Sequence, residues 1–359
     1  MNSSIVSIGL ANPGSPIDQS TIADFMEAAH QLDDYEARKL KFLYKKSGIN
    51  SRYSVLEDFE KRNFSEYTFF PKSENLEPFP GTKARMDLFQ RHAGALCEDA
   101  VRNCLTDIEV KIEEVTHLIL VSCTGMVAPG IELELMQRMG MSNTVERYCI
   151  HFMGCYAAFS GLKLADKIIR AEANAKVLLV SVELCTIHFQ KEYTEDNLLA
   201  NSLFADGAAA ALIINSPNGL KLKSYLSQVL WKGESDMAWG IGDFGFEMRL
   251  SKYIPGLLDE GIHSLKEVFE KKFNLSTIKN FAIHPGGKQI LQKVQQAFGI
   301  SEEENRHALE VLKNFGNMSS ATILFVLQRF LLDDGIMGDI LALGFGPGLT
   351  LETLHLEKS

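Results

Sequence analysis

Two hydrophobic patterns alternate along the chain. Short, nearly unbroken apolar runs stand at 115–123 (VTHLILVSC), 175–183 (AKVLLVSVE), 207–215 (GAAAALIIN), 279–286 (KNFAIHPG) and 338–346 (GDILALGFG). Apolar runs of this length without alternation predict strands covered on both faces. Segments with helical apolar spacing lie between and around them, at 84–105, 156–171, 256–273, 287–297, 303–314 and 319–333. Strands interleaved with such helices predict a layered α/β fold. The stretch 52–80, with its FFPKSENLEPFPGT, has no clear period and predicts a loop-rich excursion. The sharpest punctuation is NSPNGLKL at 215–222, which divides the chain into 1–217 and 218–359.

Composition narrows the picture. With 46% hydrophobic and 23% charged residues over 359 positions, the chain has ample material for a large buried core. A net charge of −10 argues against a nucleic-acid partner, which calls for a basic face. The N-terminal MNSSIVSIGLANPGSP lacks the basic start and apolar core of a secretion signal, and no apolar run is long enough to cross a membrane. The six cysteines show no paired spacing and the nine histidines no ligand spacing, so neither a disulfide framework nor a metal site is expected. A reducing, cytoplasmic setting follows. Five of the cysteines read as small buried hydrophobes.

The sixth, Cys155, stands apart. It sits in FMGCYAAFSGLKLADKIIR (152–170), after a glycine and at the opening of a helix whose first turns are small and apolar. Polar residues return regularly only from Lys163 on, so the helix start lies deep and its far half is amphipathic. Unpaired N–H groups and the dipole at a helix start favour a thiolate, the nucleophilic form of cysteine.

Two other positions share the setting. His284 ends an apolar run and is followed by Pro-Gly-Gly, where α/β sites gather their polar groups. Asn317, in NFGNMSSATILFVL (314–327), precedes a buried helix. Alone, the first reads equally well as a bonded structural histidine and the second as a helix cap. Together with Cys155 they form a set suited to acyl transfer: a thiol to hold an acyl group, an imidazole to take its proton, and two donors for a thioester oxygen as it becomes an enolate.

At these residues the sequence resembles the type III polyketide synthases, the chalcone synthase-like family of the thiolase superfold. The resemblance rests on GCYAAFSGLKLA, SLFADGAAAALI, HPGGKQIL, GNMSSATILFVL and the closing GFGPGLTLET, in the family's order and intervals. It implies a thiolase-like αβαβα layered fold of two similar halves, with Cys155 in the first half and His284 and Asn317 in the second. It also implies a homodimer with no cofactor, using an acyl-CoA starter and malonyl-CoA as substrates. Cys155 would carry the growing chain as a thioester, and His284 and Asn317 would serve decarboxylation. Phe204 falls where the family has an aromatic gatekeeper, and Met248 where a second phenylalanine is common. His188 takes the place of a cavity threonine. The MAWGIG stretch brings either Trp239 or Gly240 to a small cavity position. Ala128 replaces a methionine sent into the partner subunit's cavity. Cys123, Glu183 and Ser319 align with polar positions beside the cavity that an aldol ring closure would use. Of the lysines in RKLKFLYKK, Lys46 aligns cleanly with the CoA contacts, and Lys39, Lys41 and Lys45 lie nearby.

The implied activity is iterative decarboxylative condensation of malonyl-CoA onto the starter, then cyclisation to a pyrone or small phenolic. The alternative is a priming-type ketoacyl-ACP synthase making one condensation, for which the His and Asn motifs look different. A non-catalytic thiolase-fold subunit would lack one of the three central residues.

Overall fold

The computed structural model describes residues 2–251, 256, 261–262, 266, 268–273 and 278–359; of the helix expected over 256–273, residues 257–260, 263–265 and 267 lie outside the described residues. Its frame is a nine-stranded mixed sheet. The first half of the chain supplies β1 (Ser3–Ala11), β4 (His117–Ser122), β5 (Glu146–His151), β6 (Lys176–Leu184) and β7 (Asp206–Asn215). The second half supplies β8 (Leu220–Val229), β11 (Asn280–Ile283), β12 (Gly338–Gly346) and β13 (Thr350–Lys358). The order across the sheet is β11-β12-β13-β8-β1-β7-β6-β4-β5. The halves meet at a short β1–β8 ladder, Ser4 opposite Lys221 and Ile5 opposite Leu220. Two small ladders stand apart: β2 (Ile17–Asp18) with β3 (Ser51–Arg52), and the hairpin of β9 (Met237–Gly242) with β10 (Gly245–Leu250).

The helices whose bounds lie among the described residues are α1 (Gln19–Ala29), α2 (Asp34–Lys46), α3 (Thr82–Leu105), α4 (Ile131–Met139), α5 (Ala157–Ala171), α6 (Glu195–Leu203), α7 (Lys288–Phe298), α8 (Arg306–Phe315) and α9 (Thr322–Leu332). Helix α5 touches β4 and β6 of the first half and β13 of the second, while α9 touches β1 and β7 on one side and β11 on the other. These two helices therefore fill the space between the halves, the middle layer of a thiolase-like fold. Their sequences match that place. In α9, Ile323 through Leu327 are all buried, and α5 buries Ala157, Ala158, Phe159, Gly161 and Leu162 in its first half. Where α5 becomes amphipathic, Lys163 reaches Glu352 of β13 at 2.6 Å.

The apolar runs are strands as expected. Every residue of β4 is buried, because β5 and β6 flank it in parallel and helices cover its faces. One cysteine departs from the expectation: Cys149 is exposed, whereas Cys97, Cys104, Cys123 and Cys185 are buried. It lies on β5, the last strand of the sheet, whose first four residues are all exposed. No helix among the described residues is long and apolar enough to cross a membrane.

Candidate active site

Cys155 is presented by a strained turn. The chain leaves β5 through Phe152 at φ +59° and Gly154 at φ +77°, makes a single 3-10 turn over Gly154–Tyr156, and only then enters α5. Gly154 is required twice over. Its φ lies in the left-handed region, and a Cβ there would sit 2.2 Å from Cδ of Pro347. The GFGPGLT loop after β12 is thus the anvil against which the cysteine turn is pressed. The thiol is buried, and burial dominates its chemistry, pushing its pKa up to about 11; hydrogen bonds from Ser319 and Asn317 pull the other way. The helix start favours a thiolate, but burial is the largest influence on this thiol and acts against it. A partner must take the proton.

His284 follows directly on β11, where its N–H donates to the Leu343 carbonyl at 2.7 Å. Its side chain is 1% exposed, and both ring nitrogens lack hydrogen-bond partners. Burial pushes the imidazolium pKa down to about 3, so at neutral pH the ring is uncharged with one donor and one acceptor unused. Such an orphaned buried pair calls for an explanation. Asn317 is fixed more tightly. Its backbone bridges Phe204, with Asn317 N–H donating to Leu203 O and Ala205 N–H to Asn317 O, each at 2.9 Å. Its Oδ1 accepts from the Ser319 N–H at 2.9 Å, which turns Nδ2 toward the Gly286 carbonyl at 3.2 Å. Ser319 itself holds φ +45°, a further strained position beside the thiol.

Cys155, His284 and Asn317 all line one small cavity, walled otherwise mainly by apolar side chains. Phe204, Met248, Trp239, Cys123 and Ser319 line it too. Between the two residues that MAWGIG left open, Trp239 faces the cavity and Gly240 is exposed. The Trp239 indole N–H donates to the Cys123 carbonyl at 2.8 Å, and its ring meets His188 and Phe246 edge-on at 5.7 and 5.9 Å. His188 does not reach this cavity; it lines a second one. Nδ1 of His188 accepts from the Phe246 N–H at 2.9 Å, which leaves Nε2 to donate to the Thr124 carbonyl at 2.8 Å. Burial pushes its pKa down to about 3, so it is a neutral wall element stacked 4.2 Å from Phe246. The two cavities meet at Cys185, Phe204, Trp239 and Met248.

The sequence profile of "Chalcone and stilbene synthases, N-terminal domain" matches residues 2–217, and the C-terminal profile matches 221–358. The chain belongs to the chalcone and stilbene synthase family. Among its relatives, the "Alpha-pyrone synthesis polyketide synthase-like Pks18" of Mycobacterium tuberculosis is 29% identical over 98% of this chain and 90% of its own length. "Probable polyketide synthase 1" of Dictyostelium discoideum is 28% identical over 99% of this chain, which spans only 11% of that much longer protein. Two solved structures superpose over 100% of the chain with a TM-score of 0.92 and 26% identity. They are the C-terminal type III polyketide synthase domain of Steely1, a type I/III hybrid from Dictyostelium, and PKS-I of the brown alga Ectocarpus siliculosus, covered to 99% and 98%.

In this family member, Glu183 lies behind the cavity wall rather than on it. Its Oε2 accepts from the Cys123 N–H at 2.9 Å and the Thr124 hydroxyl at 2.8 Å, and its Oε1 accepts from Ser320. Of the expected Glu183, Cys123 and Ser319, the last two line the cavity and Glu183 does not. The serine bonded to Glu183 is Ser320, Cys123 contributes its backbone, and Ser319 turns to Cys155 instead. Burial raises the Glu183 pKa to about 7. The folded state then holds a proton that the unfolded chain releases near its ordinary value, so Glu183 makes stability fall as pH rises from about 4.5 to 7. Glu183→Gln is expected to match the wild type at about pH 4 and to exceed it by on the order of 3 kcal/mol above pH 8. Thermal unfolding of both proteins across that range checks this; a constant offset would contradict it.

The lysines divide as well. Lys46 lines a third and roomier cavity, which shares Leu250, Gly286 and Ile290 with the Cys155 cavity. Lys39 does not reach it: its ammonium pairs with Glu36 at 2.8 Å and lies over the Tyr35 ring, a correction to its expected CoA contact. Lys41 is likewise taken by Asp24 and Glu27. The cation the sequence reading missed is Lys288, which opens α7 on the rim of this cavity and packs its stem on Gly48. Its place next to HPGG was the available signal.

Proposed function

We propose that this chain is an iterative polyketide-forming acyltransferase that holds its starter as a thioester on Cys155 and extends it with malonyl-CoA. The observation that carries this is His284, a buried ring with two unpartnered nitrogens on the same apolar cavity as a buried thiol and an oriented amide. Moving the Cys155 proton to His284 creates two opposite charges in one pocket, which burial tolerates far better than either alone. The thiolate attacks the acyl-CoA carbonyl, the Cys155–acyl bond forms, and CoA leaves with a proton from His284. Malonyl-CoA then enters with its thioester oxygen toward His284 and Asn317. Loss of CO2 leaves an enolate stabilised by both donors, and its carbon attacks the Cys155 thioester while the C–S bond breaks. Return of the longer chain to Cys155 begins the next round.

Ring closure to a pyrone or small phenolic fits the confined cavity, and a relative named for alpha-pyrone synthesis supports it. A homodimer fits the same reading, since β5 ends the sheet with one edge unpaired among the described residues. The test is mass spectrometry of products from purified protein, malonyl-CoA and acyl-CoA starters from acetyl to palmitoyl. Pyrones or phenolics are expected. Release of CO2 alone, or one condensation on a carrier protein and nothing further, would overturn the reading.

Trp239 limits the size of the product. Trp239→Ala removes the partition between the first and second cavities, and is expected to shift the preferred starter upward by several carbons or to add at least one extension. Product masses from the variant check this; an unchanged profile would mean that Met248 and Phe204 alone close the wall.

A further inference from the structure

Beside the mouth of the third cavity, α2 carries an exposed face that is both basic and aromatic. Residues 37–46 of α2 hold Arg38, Lys39, Lys41, Lys45 and Lys46 with no carboxylate, in a chain of net charge −10. Lys39 and Lys41 are neutralised by neighbouring carboxylates. Arg38, Lys45 and Lys46 make no ion pair among the described residues. Between them Phe42 stands 61% exposed, with Lys46 over its ring at 5.5 Å. An exposed phenylalanine flanked by unpaired cations is poor design for a purely solvated face and good design for a protein interface, where aromatic and basic side chains concentrate. The same helix end supplies Leu43, Lys46 and Ser47 to the cavity wall, and Lys288 faces them across the rim. From there the shared residues Leu250, Gly286 and Ile290 lead to the Cys155 cavity.

We infer that the exposed face of α2 docks an acidic acyl carrier protein, whose phosphopantetheine arm enters the third cavity and delivers the starter acyl group to Cys155. The inference rests on the proposed Cys155 acyl transfer. Charge complementarity selects the occupant. A carrier protein presents acidic helices around the serine that bears its arm, and the face offers Arg38, Lys45 and Phe42 on one side of a helix. Lys46 and Lys288 then meet the arm's phosphodiester at the rim, a group CoA shares. Transfer is thioester exchange: the Cys155 sulfur bonds to the acyl carbon, the carrier's thioester C–S bond breaks, and the arm leaves as its thiol with the proton Cys155 gave up.

The experiment compares one acyl group, octanoyl, on CoA and on a phosphopantetheinylated bacterial acyl carrier protein, with malonyl-CoA as extender throughout. The carrier-borne starter is expected to give Cys155-dependent product, with a kcat/KM that falls steeply between 50 and 300 mM salt. Arg38→Glu is expected to lower that kcat/KM at least fivefold and to leave the octanoyl-CoA value within twofold. Phe42→Ala, neutral in charge, is expected to lower the carrier value three- to tenfold and separates lost contact from reversed charge. Product from octanoyl-CoA but none from the carrier overturns the docking inference and spares the proposed function; no product from either starter strikes at the function itself. An equal loss with both starters would assign the face to the CoA phosphates. Salt-sensitive binding to anionic lipid vesicles without use of the carrier would assign it to a membrane surface. Either result overturns the inference.

Discussion

Cys155→Ala is expected to abolish polyketide formation, with product falling at least ~10³-fold, to the level of uncatalysed background. The other five cysteines cannot substitute. Cys123 and Cys185 line the same cavity, but their thiols are pushed well above the ordinary range by burial, and Cys123 is held by the Gly154 N–H at 2.9 Å. The substitution should leave the fold intact, because the turn is set by Gly154 and Pro347 and not by the sulfur. Two measurements decide it: product yield by mass spectrometry, and mass of the intact protein after exposure to acyl-CoA, which should show an acyl adduct on the wild type only. An adduct on the variant would move the nucleophile elsewhere.

The second large effect is on stability. Arg52, 1% exposed, is the strut beneath the site: Nε donates to Gln19 Oε1 at 2.8 Å and Nη1 donates to the Phe204 carbonyl. Gln19 passes the connection on to the Ser202 carbonyl at 2.8 Å. Buried Asp206 lies close enough to help hold the guanidinium charge. Arg52→Met keeps much of the volume but strips the donors from two buried acceptors and leaves Asp206 without its cation. Loss of one partner from such a buried network costs about 3–5 kcal/mol. The urea midpoint should fall accordingly, and kcat should fall with it, because the Phe204 backbone carries the bridge to Asn317. A change under about 1 kcal/mol would show that the network reorganises around the gap.

The strands β4, β6, β7 and β12 were legible because complete burial forces an unbroken apolar run. Strands β8 and β13 were not, since LKLKSYLSQV and TLETLHLEK carry lysine, serine and glutamate on their partly open faces. The central residues were legible for a different reason: a thiol, an imidazole and an amide each sit where an element begins or ends. Their energetics were not. A dipole argument favours the Cys155 thiolate, and only the packed interior reveals that burial reverses it. The same limit explains Glu183 and His188. Their residue types were visible, but whether a side chain faces the cavity or the backbone behind it depends on packing from distant parts of the chain, the β9–β10 hairpin above all.

The contact between Gly154 and Pro347 joins residues almost two hundred positions apart, and it bears on how relatives can exchange parts. A hybrid carrying residues 1–217 of this chain and the second half of a cousin would keep Cys155 and take its histidine and asparagine from the cousin. Its seam would still lie under the thiol, where a foreign loop must match a glycine turn with no room for a methyl group. Such chimaeras should fold more often than they turn over, and a graft of the 344–350 loop along with the first half should restore the rate.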